Sequence, residues 1–358
     1  MNIVSATKAF EEWLRRQTLI VRGDLWHKHE AMGASRFCFL RATYYRWAQQ
    51  FGDLDKAISV SPRVLSVGDL HLENFGTWRD GIGRLAWGIN DFDEAYPLPY
   101  TNDLVRLATS ALLAIEENHL NLSVKEACRA IAMGYREGIA AGGRPFVIGD
   151  EHRWFKPILA SPERDPGLFW DRLRGLPRER GAVPSDARAA IVEMLPDRKL
   201  EYRVHHRIAG LGNLGKARYT AIANWLGGPV AREVKAVTLS AAAWAMSQRE
   251  GPFYAEILRG AIRSRDPFLK AEGKWVTRRL SPDSRRLELG SLIRVNEEEW
   301  LLHAMGFETA NVHLGTRGAR AAIGRHLKGV RKGTLREAAM SMRDLLVKDF
   351  RRWADARW

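Results

Sequence analysis

Only two of the 358 residues are cysteines, Cys38 and Cys128, and neither stands in a metal-ligand spacing. That scarcity excludes a disulfide-stapled scaffold and a structural zinc module, and a reducing cytoplasm fits best. No apolar run reaches the length of a bilayer span, and Met1 to Arg16 carries Lys8, Glu11, Glu12 and two arginines without an apolar h-region. Neither membrane insertion nor secretion is therefore expected. Internal repeats and low-complexity tracts are also absent, which sets aside solenoids and disordered chains.

Hydrophobic residues make up 46% of the chain, enough over this length for two lobes with a cleft between them. Charge is unevenly spread. The stretch from Arg317 to Arg352 holds eleven Lys/Arg and three Asp/Glu, so it supplies +8 of the chain's +14. Such a run suits nucleic acid, an acidic membrane surface or a phosphorylated acceptor, but no nucleic-acid motif accompanies it and no aromatics interleave it before Lys348. A solvated helix face is the favoured reading.

The informative segment is Gly68-Asp69-Leu70-His71-Leu72-Glu73-Asn74-Phe75-Gly76, followed by Ile89-Asn90-Asp91-Phe92-Asp93. Val64 to Val67 and Arg84 to Ile89 read as short buried strands, so both motifs leave strand ends, and a hairpin at Arg79 to Gly83 separates the two motifs. Phosphoryl transfer needs positioning and charge neutralisation more than covalent help. It asks for one carboxylate to orient an acceptor hydroxyl, and for an oxygen donor with a second carboxylate to hold Mg²⁺. Asp69 is the candidate base, and Asn74 and Asp91 are the candidate metal ligands. Against this, a lone D-x-x-x-x-N arises by chance, and either Asp could merely satisfy turn amides.

The second half contains a glycine run, Gly210-Leu211-Gly212-Asn213-Leu214-Gly215, then a strand from Tyr219 to Trp225, a turn at Leu226 to Pro229 and a strand from Val230 to Val237 bearing Lys235. A dinucleotide-binding turn would need a helix straight after the glycines. The period-two recurrence of Tyr219, Ala221, Ala223 and Trp225 favours a hairpin instead. Gly210, Gly212 and Gly215 would let backbone approach phosphate oxygens, and Lys235 would bring a compact positive charge.

GDLHLENFG resembles the catalytic loop of aminoglycoside phosphotransferases and choline kinases, H-G-D-x-H-x-x-N, and INDFDEA resembles their I-D-F-D-x-A metal motif. Closer still is a bacterial family catalogued only as a domain of unknown function and placed with the kinase-like proteins. The chain resembles it in Ala34 to Arg41, in both motifs, in Asp103 to Ala108, in Gly210 to Gly215 and at Val234-Lys235, from about residue 30 to residue 290. The resemblance implies an α+β, kinase-like two-lobe fold that binds ATP and Mg²⁺. It makes Glu256, on a helix within Pro252 to Ile262, the candidate partner of Lys235, and gives His71, Asp93 and Asp103 supporting roles. Asp103 would brace the catalytic loop, or simply favour a helix N-terminus.

In ordinary kinases the glycine flap and lysine precede the catalytic loop, whereas here Asp69 comes first. A circularly permuted fold is therefore expected: residues 1–143 as a helical large lobe, 144–200 as an irregular connection rich in proline and carrying Trp154, Phe155, Phe169 and Trp170, 201–290 as a small sheet lobe, and 291–358 as a basic helical return. Helices are expected at Asp103 to Asn118, capped by Thr101 or Asn102, at Ser123 to Ile139 and from Thr334, the last two opened by capping boxes with Glu126 and Glu337. The leading expectation is an ATP- and Mg²⁺-dependent transfer of phosphoryl to a hydroxyl, on a small molecule. The alternatives are a nucleotide-binding pseudokinase that uses its basic surface, and a two-metal phosphoesterase built on Asp69, His71, Asp91 and Asp93.

Overall fold

The computed structural model describes residues 1–149, 152, 155, 165–289 and 297–356. Strand β1 (Arg63–Ser66) leads into the first acidic motif, and β2 (Phe75–Arg79) leaves it to pair antiparallel with β3 (Leu85–Ile89). The connecting turn is held by Asp80, whose Oδ1 accepts from the amides of Ile82 (3.1 Å) and Arg84 (2.8 Å). Strand β4 (Tyr96–Pro99) returns against β1, and β5 (Phe146–Val147) adds to β3. These short pairings place Asp69 and Asp91 at neighbouring strand ends.

A separate five-stranded antiparallel sheet is built from β6 (Arg203–His205), β7 (Arg218–Trp225), β8 (Gly228–Ala236), β9 (Lys270–Glu272) and β10 (Trp275–Leu280), in the order β6-β7-β8-β10-β9. Leu226 and Gly227 both take positive φ, 45° and 84°, the backbone of a two-residue hairpin turn whose twist suits the strands. The turn is shorter than expected because Pro229 lies inside β8, at its start opposite Asn224. On one face Tyr219, Ala221, Val234 and Ala236 pack against Ala187 and Ile191 of the helix Ser185–Met194. Period-two alternation then forces Arg218, Glu233, Lys235 and Arg278 onto the other face.

Apart from Pro166–Arg174, whose Leu173 packs with Ala231 and Leu280 of the sheet, the remaining helices share one core running from Ile3 to Trp353. The helices Thr101–Glu116, Val124–Ala141, Glu298–His313 and Thr334–Ala354 pack together there, so the last part of the chain joins the first in a single body. The helix Val124–Ala141 has the expected Ser123/Glu126 capping box and ends at Gly142, with φ of 81°. It meets Glu298–His313 with almost no side chain between the backbones: a Cβ on Gly306 would stand 2.1 Å from the Ile131 carbonyl oxygen.

Several expectations need correction. Neither Thr101 nor Asn102 caps its helix, because Thr101 donates to the Ile58 carbonyl and Asn102 is spent on Trp47 and the Gly68 carbonyl. Thr334 does not form a capping box with Glu337; Gly333 precedes the helix, and Glu337 pairs with Arg331. The stretch from 144 to 200 is not wholly irregular, since it contains β5 and the helices Pro166–Arg174 and Ser185–Met194. Phe155 there is buried against Trp87, while Trp154 lies outside the described residues. Among the described residues no helix is long and apolar enough to cross a membrane.

Candidate functional site

The loop after β1 is fixed from behind. Asp103, wholly buried at the start of Thr101–Glu116, accepts from the amides of Val67 (2.7 Å) and Gly68 (3.0 Å) and pairs with His313 Nε2 at 2.9 Å. Three residues further along the same helix face, Arg106 donates from Nε to Asp69 Oδ1 at 2.8 Å and also reaches it through a terminal nitrogen. That guanidinium is 1% exposed and is also tied to the Leu40 carbonyl. Asn74 Nδ2 donates to the Asp69 carbonyl at 2.5 Å, which closes the loop into one turn. Burial pushes the Asp69 carboxyl up to about 7, against the pull of Arg106. Burial, with Arg41, Arg106 and Arg286 nearby, holds His71 well below the ordinary imidazole range, so its Nδ1 is an acceptor for the Glu73 amide.

The second loop lies opposite the five-stranded sheet. Lys235 Nζ donates to Asp91 Oδ1 at 2.9 Å and to Asp93 Oδ2 at 2.6 Å, and it lies 5.6 Å from the ring centroid of Tyr254. Burial would raise Asp91, but Lys235 and then Arg278 outweigh it and hold that carboxyl at about 2. Asp93 is displaced upward, by burial first and by Asp91 second. The glycine run connects β6 to β7. Gly210 and Gly215 take φ of 73° and 97°, and the turn between them carries Asn213, whose Nδ2 reaches both Asp91 and Asp93. Gly212 requires the absence of a side chain: a Cβ there would lie 2.9 Å from the Arg41 carbonyl oxygen and 3.1 Å from Asp69 Oδ2.

Asp69, His71, Asn74, Asp91, Asp93, Gly210, Gly212 and Lys235 thus line one cleft of about 340 Å³. Gly215 packs on Leu25 instead, and Asp103 stands behind the loop. Glu256 does not join them. On the helix Tyr254–Gly260 the buried positions are Tyr254 and Ile257, so Glu256, two residues on from Tyr254, turns about 200° away and is exposed. The carboxylates that pair with Lys235 are Asp91 and Asp93.

Three features escaped the sequence reading. Arg106 carried a readable signal, its i, i+3 spacing from Asp103. Asn213 sat unremarked inside the glycine run. The third is Glu233, 1% exposed, which accepts from Arg207 (2.7 Å), Arg218 (2.6 Å) and Arg278 (2.6 Å) and is held well below the usual carboxylate range although burial opposes it. Its parity with Lys235 in the strand was the available sign.

Residues 21–145 match the model of a bacterial family described as "Uncharacterized protein conserved in bacteria (DUF2252)". The match contains both acidic motifs and Asp103, and stops before the glycine run and Lys235. No curated protein and no solved structure matches the chain.

Proposed function

We propose that the chain is a Mg²⁺-dependent phosphotransferase of permuted kinase-like architecture, moving a phosphoryl group from a nucleoside triphosphate such as ATP to the hydroxyl of a small molecule. The observation that carries the reading is Lys235 on Asp91 and Asp93, beneath a glycine turn that also touches Asp69. A sheet-borne cation, two ionisable carboxylates, an amide and a turn that presents Gly212 without a side chain, all in one cleft, are the parts that phosphoryl transfer uses.

The donor set suits a hard cation that keeps water and phosphate oxygens as ligands. Asp91 is ionised at neutral pH, and Asp93 Oδ1 is buried without a hydrogen-bond partner among the described residues. No group of three or more His, Cys, Asp or Glu side chains among those residues stands ready to enclose an ion, which fits Mg²⁺ better than a closed protein cage. Asp91 and Asn74 would hold it, and when bound it would neutralise developing phosphate charge. Lys235 adds fixed positive charge, the turn at Gly212 admits phosphate oxygens close to the backbone, and Asp69 orients the acceptor hydroxyl and takes its proton.

The test is mass spectrometry of the purified protein incubated with ATP and Mg²⁺, reading ADP, AMP and any modified product. Asp91→Asn is expected to weaken Mg²⁺-dependent nucleotide binding by about tenfold or more, whereas Asp69→Asn leaves binding nearly intact and slows turnover by about 100-fold or more. Equal loss of nucleotide affinity in both variants would remove these assignments. No nucleotide binding in the wild type would remove the reading itself.

A further inference from the structure

The cleft has more positive charge than its own carboxylates can absorb. Among the described residues twelve Lys/Arg and seven Asp/Glu line it, three of the arginines (Arg207, Arg218 and Arg278) being answered by Glu233 in the wall, and the carboxylates around Asp69 are already engaged inside the protein. Asp69 is held by Arg106, Asp91 and Asp93 by Lys235, and Glu94 by Ser240 Oγ (2.9 Å) and the Ala241 amide (2.6 Å). Glu73 is divided between Arg41 Nη1 (2.5 Å) and the Leu289 amide (3.2 Å).

The excess gathers beside the loop carrying Asp69 and His71. Arg41 is 9% exposed, and its Nε finds no hydrogen-bond partner among the described residues although the same guanidinium lines the cleft. Arg286 is delivered to the same place by backbone: the chain pairs at Gly76 and Arg286, and the Leu287 amide donates to the Phe75 carbonyl at 2.6 Å. Glu288 lies 3.8 Å from Arg286 Nε, beyond hydrogen-bond reach, and the Arg286 side chain is 39% exposed. Arg286 is pushed below the usual guanidinium range by burial and then by Arg41, and Glu73 and Glu288 offset this only in part. Two guanidinium groups that repel across the cleft, with Glu73 already bound to Arg41 and Glu288 at 3.8 Å from Arg286, are further stabilised when an oxyanion sits between them.

On the phosphotransferase reading, we infer that the acceptor is itself an anion, a hydroxyl compound bearing a phosphate or carboxylate group that Arg41 and Arg286 grip while its hydroxyl faces Asp69. Choline and the aminoglycosides are cations, so this chain departs from the kinases whose motifs it resembles in the charge of what it takes. The oxyanion would rest in the fork of Arg41 and Arg286, geometry that guanidinium groups recognise through paired N–H donors.

The experiment is isothermal titration of the full chain with inorganic phosphate, acetate and choline, with Mg²⁺ and a saturating non-hydrolysable ATP analogue occupying the donor side. Wild type is expected to bind an anion and not choline, and Arg286→Gln to weaken anion binding by about tenfold or more while nucleotide-analogue affinity changes less than about threefold. Preference for phosphate points to a phosphate ester, and preference for acetate to a carboxylate; either supports the inference. Choline binding as tight as the anions, or unchanged anion affinity in Arg286→Gln, overturns it. Arg41→Gln is a second arm, and should it fail to fold because Glu73 loses its partner, the more exposed Arg286 variant decides. If the wild type binds no nucleotide analogue, the phosphotransfer reading fails, while the same anion titration without nucleotide still decides the anion site.

Discussion

Asp69 is predicted to titrate near neutrality, and the consequence can be followed both in catalysis and in stability. Its carboxyl is 15% exposed, Arg106 grips only Oδ1, and burial wins, with the pKa pushed up to about 7. A base must be ionised to act, so about one tenth of the protein is competent at pH 6 and about nine tenths at pH 8. Turnover should therefore fall roughly tenfold per pH unit below 6, before bound cation and phosphate move the midpoint. For stability the sign is fixed by proton binding. Between the unfolded value near 3.8 and the folded value near 7 the native state holds more protons than the unfolded one, so this stabilisation is fully present below about 4 and is lost as pH rises through 7. A displacement of about three pH units corresponds to about 4 kcal/mol at most. The assay is ¹³C NMR titration of carboxylate signals, assigned with Asp69→Asn, together with urea unfolding of both proteins from pH 4 to pH 8. The difference in stability between wild type and variant should drift by a few kcal/mol across that range. A midpoint below about 4.5, or parallel stability curves, would mean that Arg106 rather than burial governs the group.

Two further outcomes test the scaffold and the surface. Gly306→Ala drives a methyl into the Ile131 carbonyl at a nominal 2.1 Å, so the two helices must part, and a loss of about 2 kcal/mol or more is expected in urea unfolding; a stability unchanged within 0.5 kcal/mol, on the order of a neutral surface substitution, would mean the contact is looser than described. Replacing the exposed Arg325, Lys328, Arg331 and Lys332 together by Gln should change stability by less than about 1 kcal/mol and leave nucleotide turnover intact, and loss of steep, salt-sensitive polyanion binding would instead identify this face as a contact surface.

Much of this site was legible because its positions obey local rules. Strand parity put Lys235 opposite the face that buries Val234, and short apolar runs ending in Gly68-Asp69 and Asn90-Asp91 announced two loops leaving strand ends. What local rules cannot supply is which of several candidate groups wins a partner. Thr101 and Asn102 looked like caps by type, but tertiary partners at Ile58 and Trp47 claimed their side chains. Glu256 looked like a lysine partner by order along the chain, yet the helix turned Tyr254 inward, and a residue two places on must then face solvent. The arginine set around Glu233 comes from the loop before β7, from β7 and from β10, and spacing along the chain carries no record of that meeting.

The same cleft drives two aspartates in opposite directions, and the cause lies in the geometry of their counter-charges. Asp91 meets Lys235 at 2.9 Å with Arg278 and Arg218 adding to the field, so it is ionised throughout the neutral range. Asp69 is raised by burial first, which one guanidinium on one oxygen does not outweigh and to which Glu94 and Asp91 add, so its second oxygen retains affinity for a proton. An ionised carboxylate suits a cation, whereas one poised near 7 can accept and return a proton, and the proposed phosphotransfer divides Asp91 and Asp69 between those two tasks on that separation. Reversing the field is the direct challenge to that division: a substitution that removed Lys235 would raise Asp91 toward Asp69, and a site with two carboxyls of similar pKa would have neither a dependable cation ligand nor a distinct base.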